Sequence, residues 1–113
     1  MSSRLIVRDI ERRITARFMD LLVLSILNHD GGGISGYDLI KHFHSKFGFL
    51  MSPGTVYSQL NAMEREGLLK SQQNGGKRVF LLTQRGKEKS KIILNAEDKI
   101  LKSMARLFDS KGL

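Results

Sequence analysis

Four uncharged hydrogen-bonding residues, Ser52, Thr55, Ser58 and Gln59, fall within one short stretch, SPGTVYSQLNAMEREGLL, Ser52 to Leu69. Val56, Leu60 and Met63 stand there at i, i+4 and i+7, the pattern of a helix face turned to a core. That leaves Thr55, Ser58, Gln59 and Ala62 on the opposite side, a small, polar and nearly uncharged face. Such a face can read base edges in the DNA major groove: Gln59 can pair with an adenine edge, and the Thr55 methyl can meet a thymine. Alone, it would serve as well as a plain solvated face. Tyr57 lies beside the core stripe and has two readings, a hydroxyl within reach of a phosphate or a half-buried packing ring. A second group follows. Asn74, Lys77 and Arg78 surround a glycine turn, and a hairpin tip carrying donors can follow a phosphate backbone or enter the minor groove.

Charge points the same way. The formal net charge is +8, and residues 68–91 carry seven basic side chains against one acid. A localised basic surface favours a polyanion, whether DNA, RNA or an anionic membrane. Other chemistry is thinly represented. There is no cysteine, hence no disulfide and no thiolate metal site. His42 and His44 are two apart and point to different sides of a helix, so no metal site is expected. No P-loop, nucleophile–base pair or dinucleotide setting is present, so neither enzyme activity nor a cofactor is expected. Leu21 to Leu27 is too short to span a bilayer and no signal peptide is evident. A cytoplasmic protein without a membrane partner follows as the expectation.

The elements that must position these residues come from capping and periodicity. At 113 residues the chain makes one small domain. Residues 2–28 read as helix, with Ile6, Ile10, Ile14, Phe18, Leu21 and Leu22 on one face; one helix, or two broken near Thr15, are both open. Asp30 to Gly33 is a glycine turn. Ser35 caps a helix to about Phe47, with Tyr37, Ile40, Phe43 and Phe47 as its apolar stripe, and Gly48 stops it. The next helix runs from Pro53 to Glu66, with Ser52 as a hydrogen-bonding N-cap and Gly67 as a left-handed stop. Leu68 to Gln72 and Arg78 to Leu82 read as strands joined at Asn74-Gly75. Thr83 caps a long last helix. On it Ile93, Ile100 and Leu107, and Leu94, Leu101 and Phe108, repeat every seven residues, with Met104 between. That stripe asks for a partner surface, and a second copy is the economical one.

Helix, helix, helix, strand, strand, helix is the order of a winged helix-turn-helix. Gly36-Tyr37, SPGTVY at 52–57, EREGLL at 64–69 and LTQRG at 82–86 resemble the PadR family of transcriptional regulators, as does DLLVLSIL at 20–27. The resemblance covers roughly residues 18–90, and the single C-terminal helix is similar to that of the short subfamily. It implies a homodimeric DNA-binding repressor joined through the last helix and part of the first. Ser58 departs from a proline common in the family, Phe80 departs from a tyrosine, and residues 1–17 are longer and more basic than in many members.

The expected fold is therefore mainly α with a small β-hairpin. Residues 1–17 form an N-terminal helical extension, 18–83 a winged helix DNA-binding domain, and 84–113 a C-terminal dimerisation helix. The 53–66 helix is expected in the major groove of a pseudo-palindromic double-stranded operator, and the 73–78 wing on the backbone or in the minor groove. The DNA-binding set is Ser52, Thr55, Tyr57, Ser58, Gln59, Asn74, Lys77 and Arg78. The dimerisation set is Ile93, Leu94, Ile100, Leu101, Met104, Leu107 and Phe108. A small hydrophobic effector is a weaker expectation, with Phe18, Met19, Met104 and Phe108 lining its space; plain dimer core is preferred. The alternative function is a winged-helix adaptor for protein or RNA, and a membrane-surface role for Arg8 to Arg17 is weakened by Asp9 and Glu11.

Overall fold

The computed structural model describes residues 2–29 and 31–109, so Asp30 of the expected turn and the chain end beyond 109 lie outside the described residues. The elements in chain order are α1 (Ser3–Arg17), α2 (Met19–His29), β1 (Ile34–Ser35), α3 (Gly36–Phe47), α4 (Pro53–Arg65), β2 (Leu69–Asn74), β3 (Lys77–Leu82), α5 (Gln84–Asn95) and α6 (Glu97–Arg106). The first helical stretch is two helices, parted at Phe18, whose backbone leaves the helical region. Thr15 does not break it. Its buried hydroxyl donates to the Glu11 carbonyl at 2.7 Å, which satisfies the side chain within the helix.

The core is built from the apolar faces the periodicity picks out. Val23, Leu24 and Leu27 of α2, Leu39 and Phe43 of α3, and Val56, Leu60 and Met63 of α4 are all buried. Phe49 and Met51 close it from the α3–α4 connection, and Phe80 and Leu82 close it from β3. Tyr37 does not join this stripe. It sits on the first turn of α3, turned outward and 61% exposed, because Leu39 and Phe43 take the inward face.

The hairpin is part of a three-stranded antiparallel sheet of order β1-β3-β2. β1 escapes sequence reading because only Ile34 and Ser35 pair, opposite Phe80 and Val79. Ser35 also caps α3, accepting from the Asp38 amide at 3.1 Å. The β2–β3 turn is centred on Gly75-Gly76, with φ of +59° and +81°, the two positive values a type I′ turn requires. Asn74 therefore pairs with Lys77 at the end of the ladder instead of occupying the turn.

The last helix comes in two segments. α5 is capped by Thr83, whose hydroxyl accepts from the Gly86 amide at 3.0 Å. It is tied to α2 by Ser90, whose buried hydroxyl donates to the Leu24 carbonyl at 3.0 Å. At Ala96 the backbone turns out of helical geometry and α6 begins. No residue of α6 is buried.

Candidate nucleic-acid interface

α4 owes its start to Pro53, whose fixed φ suits the first helical position. The expected hydrogen bond from the Ser52 side chain is absent: its hydroxyl is exposed and caps nothing, while Val56 closes the turn on the Ser52 carbonyl at 3.1 Å. Gly67 ends the element in the left-handed region, φ +79°. With Val56, Leu60 and Met63 fully buried, Thr55 and Ser58 are exposed and Gln59 and Ala62 half-buried on the outer side. The outer face thus carries hydroxyl, amide and methyl groups and no charge.

Tyr57 sits at the seam between α4 and α3. A Cβ added at Gly36 would overlap its ring, so the Gly36 and Tyr57 motifs are two halves of one contact. Tyr57 is 37% exposed, and Tyr37, the next residue after Gly36, has its own ring 5.3 Å from the Lys41 ammonium. A second interlock holds the hairpin. A Cβ at Gly86 would overlap the Leu68 carbonyl oxygen, the Thr83 hydroxyl donates to the Gly67 carbonyl at 2.6 Å, and the Thr83 amide donates to Leu68. The EREGLL and LTQRG segments are therefore clasped together at the foot of the wing. Sequence reasoning saw these motifs but not these contacts, since each joins positions far apart in the chain.

Lys77 and Arg78, taken together from the sequence, are separated by the pleat. Successive strand residues face opposite ways. Arg78 shares its face with Phe80, Leu82 and, across the ladder, Ser71. That face meets α4: Arg78 donates to Glu64 Oε1 at 2.7 Å and to Asn61 Oδ1 at 3.1 Å. Ser71 donates to the other Glu64 oxygen at 2.6 Å. The Ser71 hydrogen bond and the Arg78 charge hold the Glu64 carboxyl below its ordinary range. Lys77 and Asn74 are exposed at the tip, and Lys70, Gln72 and Gln73 are exposed along β2. Of the eight residues expected on DNA, seven are at the surface with their groups uncommitted to ion pairs, and Arg78 is engaged by α4. Gln72 and Gln73 are further wing donors the sequence reading passed over; their place between Lys70 and the turn was the available signal.

On the far side, α1 and α2 face α5 and α6 across an apolar groove of about 290 Å³. Ile93, Leu94, Ile100, Leu101 and Met104 line it with Ile14, Phe18, Leu21 and Leu22. Leu107 and Phe108 lie outside it, Phe108 86% exposed. The four residues expected to enclose an effector do not share one space: Phe18 and Met104 line the groove, Met19 is buried in the core, and Phe108 stands in solvent. Among the described residues no group of three or more His, Asp or Glu side chains could hold a metal, and no helix is long and apolar enough to cross a membrane.

Residues 23–92 match the family described as Transcriptional regulator PadR-like family. Over 70 residues the chain is 34% identical to Transcriptional activator GvpE1 of Halobacterium salinarum, covering 62% of this chain and 36% of that protein. The chain thus spans little more than a third of the length of that relative. Among solved structures, a PadR family transcription regulator of Clostridium difficile is 28% identical with a TM-score of 0.67, covering 81% of this chain and 99% of that one. Bacillus subtilis PadR, solved in complex with operator DNA, is 25% identical with a TM-score of 0.56, covering 69% of this chain and 47% of that one. The family match takes in every element from within α2 to within α5, and with it the whole winged helix: the chain belongs to the PadR-like family of transcriptional regulators.

Proposed function

We propose that the protein is a cytoplasmic, homodimeric transcriptional repressor that binds a pseudo-palindromic DNA site. The observation that carries this reading is the uncharged outer face of α4, Thr55, Ser58 and Gln59, set beside a basic hairpin in a chain of this family. In each half-site α4 enters the major groove, with Ser52 and Thr55 nearest the bases, while Asn74 and Lys77 meet the flanking backbone or minor groove. Tyr57 meets the sugar-phosphate chain. The operator complex of the Bacillus subtilis relative supports DNA as the partner.

Two copies join through the groove side. Leu107 and Phe108 prolong the apolar surface of Leu101 and Met104 beyond the groove, which is continuous cover for a second α6 and more than a small effector would need. At about 290 Å³ the groove is also at the lower limit of ordinary ligand pockets. Two-fold symmetry then sets the α4 helices roughly 34 Å apart, one turn of duplex.

Selection from a random duplex pool tests the reading. The expected result is an inverted repeat with half-sites about one turn apart, bound with a steep salt dependence. A pool that shows no enrichment would overturn sequence-specific binding. A reporter driven from a promoter carrying the selected site tests the sign: expression falls for a repressor, whereas a rise would place the protein with activators such as GvpE1.

A further inference from the structure

We propose that Arg78 is a positioning residue and not a phosphate ligand: clamped by Glu64 and Asn61, it fixes the hairpin against α4, so that both meet one stretch of duplex in a set register. The inference rests on the DNA-binding reading above and adds to it a specificity-determining role inside the protein.

Four observations carry it. First, the ladder register turns Arg78 toward α4 and Lys77 away from it. Second, the guanidinium makes two hydrogen bonds to residues three apart on α4, hence on one face: 2.7 Å to Glu64 and 3.1 Å to Asn61. A planar fork held at two points fixes an angle as well as a distance. Third, Glu64 is shared. Its second oxygen accepts from Ser71 of β2 at 2.6 Å, so one carboxylate on α4 holds both strands of the wing. Fourth, the guanidinium lies 4.7 Å from the Phe80 ring centroid, and Phe80 is fully buried, so the stack ties the fork to the core. Among the described residues these are the only side-chain hydrogen bonds between hairpin and α4. Residues 72–77 project beyond them. Small rotations at the clamp would be magnified at the tip, where Lys77 sits.

Charge makes the same argument. A phosphate approaching the donors Arg78 has left would also face the Glu64 carboxylate, 2.7 Å from the guanidinium, and be repelled by it. Lys77 makes no ion pair among the described residues and faces no such competition.

The test compares Arg78→Ala, Glu64→Gln and Lys77→Ala on two probes, the duplex selected above and a random-sequence duplex. Each variant is first checked for a cooperative thermal transition. Lys77→Ala is expected to lower the salt slope by about one unit on both probes, as a lost phosphate contact does. Arg78→Ala is expected to leave the slope unchanged and to weaken the selected duplex by about tenfold, on the order of one lost base contact, with little effect on the random one. Glu64→Gln, which keeps a side chain able to accept from Ser71, is expected to move in the same direction by less. Amide exchange of β2 and β3 in the free protein is expected to quicken in Arg78→Ala and Glu64→Gln but not in Lys77→Ala. A slope loss of about one unit in Arg78→Ala, or unchanged exchange, would overturn the positioning role. Failure of the unsubstituted protein to bind either duplex would instead overturn the DNA-binding reading, and the exchange measurement would still judge the clamp.

Discussion

Gly86 illustrates how much of this fold is decided by single residues. A Cβ there would overlap the Leu68 carbonyl oxygen, whereas at Gly31 nothing lies within 4 Å. Gly86→Ala should therefore cost about 1–3 kcal/mol, as forced overpacking does, and Gly31→Ala should be neutral or gain about 0.4–1 kcal/mol. Urea midpoints at constant slope would show the contrast. Glu64 gives a pH-dependent counterpart. Its carboxyl is held low by Ser71 and Arg78, so the unfolded chain binds the proton more readily than the folded one. The resulting stability is present above the ordinary carboxylate value of 4.5 and is lost as pH falls through the lower folded value. Glu64→Gln should flatten acid unfolding over that window, read by circular dichroism. The direction of Arg78 was not legible, since Val79 and Leu81 are apolar as well as Phe80 and Leu82, and a run apolar on both faces does not say which one meets α4. Nor were the notches at Gly36 and Gly86, because a glycine says that space is wanted and not which distant ring or carbonyl occupies it.

At the scale of elements, legibility followed the strength of local signals. α4 was readable at both ends from Pro53 and Gly67, and α3 from Ser35 and Gly48, since proline, caps and left-handed glycine act within a few residues. β1 was not, because two paired residues have no periodicity to detect. The interruptions at Phe18 and Ala96 carry neither glycine nor proline, so nothing local announces them. Thr83 has the widest reach of any cap here, since one hydroxyl accepts from the Gly86 amide and donates to the Gly67 carbonyl. Thr83→Val keeps the shape and removes both bonds. It should lower stability by about 1–2 kcal/mol, the upper part of the capping range, and denaturant unfolding would measure it. No change would mean that the clasp between α4 and α5 is held by packing and the backbone bond to Leu68, without the hydroxyl.

The whole molecule is longer than a compact chain of this size. Its radius of gyration is 15.7 Å and its long axis 52 Å, against about 13 Å of radius for a sphere-like domain of this length. α1 buries only Thr15 and α6 buries no residue. Both carry large apolar side chains at the surface, Leu5, Ile6 and Val7 on one and Ile100 and Leu101 on the other. Leu101→Glu should therefore shift the light-scattering mass toward a single chain of 12.8 kDa and abolish cooperative operator binding while leaving the winged helix folded. A dimer mass that survives would move the interface elsewhere. The interruption at Ala96 takes on a different meaning here. Where α6 joins two copies, α5 belongs to the DNA-reading head and α6 to the shared stem, so the torsions of one alanine set the spread of the two heads. A helix of this length is about 15 Å long, so turning it by about 10° at the joint moves its far end by about 2–3 Å. Summed over both arms, that approaches a base-pair step or more. The half-site spacing to which such a regulator is tuned would then be adjustable by substitutions around one residue, far from any nucleotide, leaving the reading surface itself untouched.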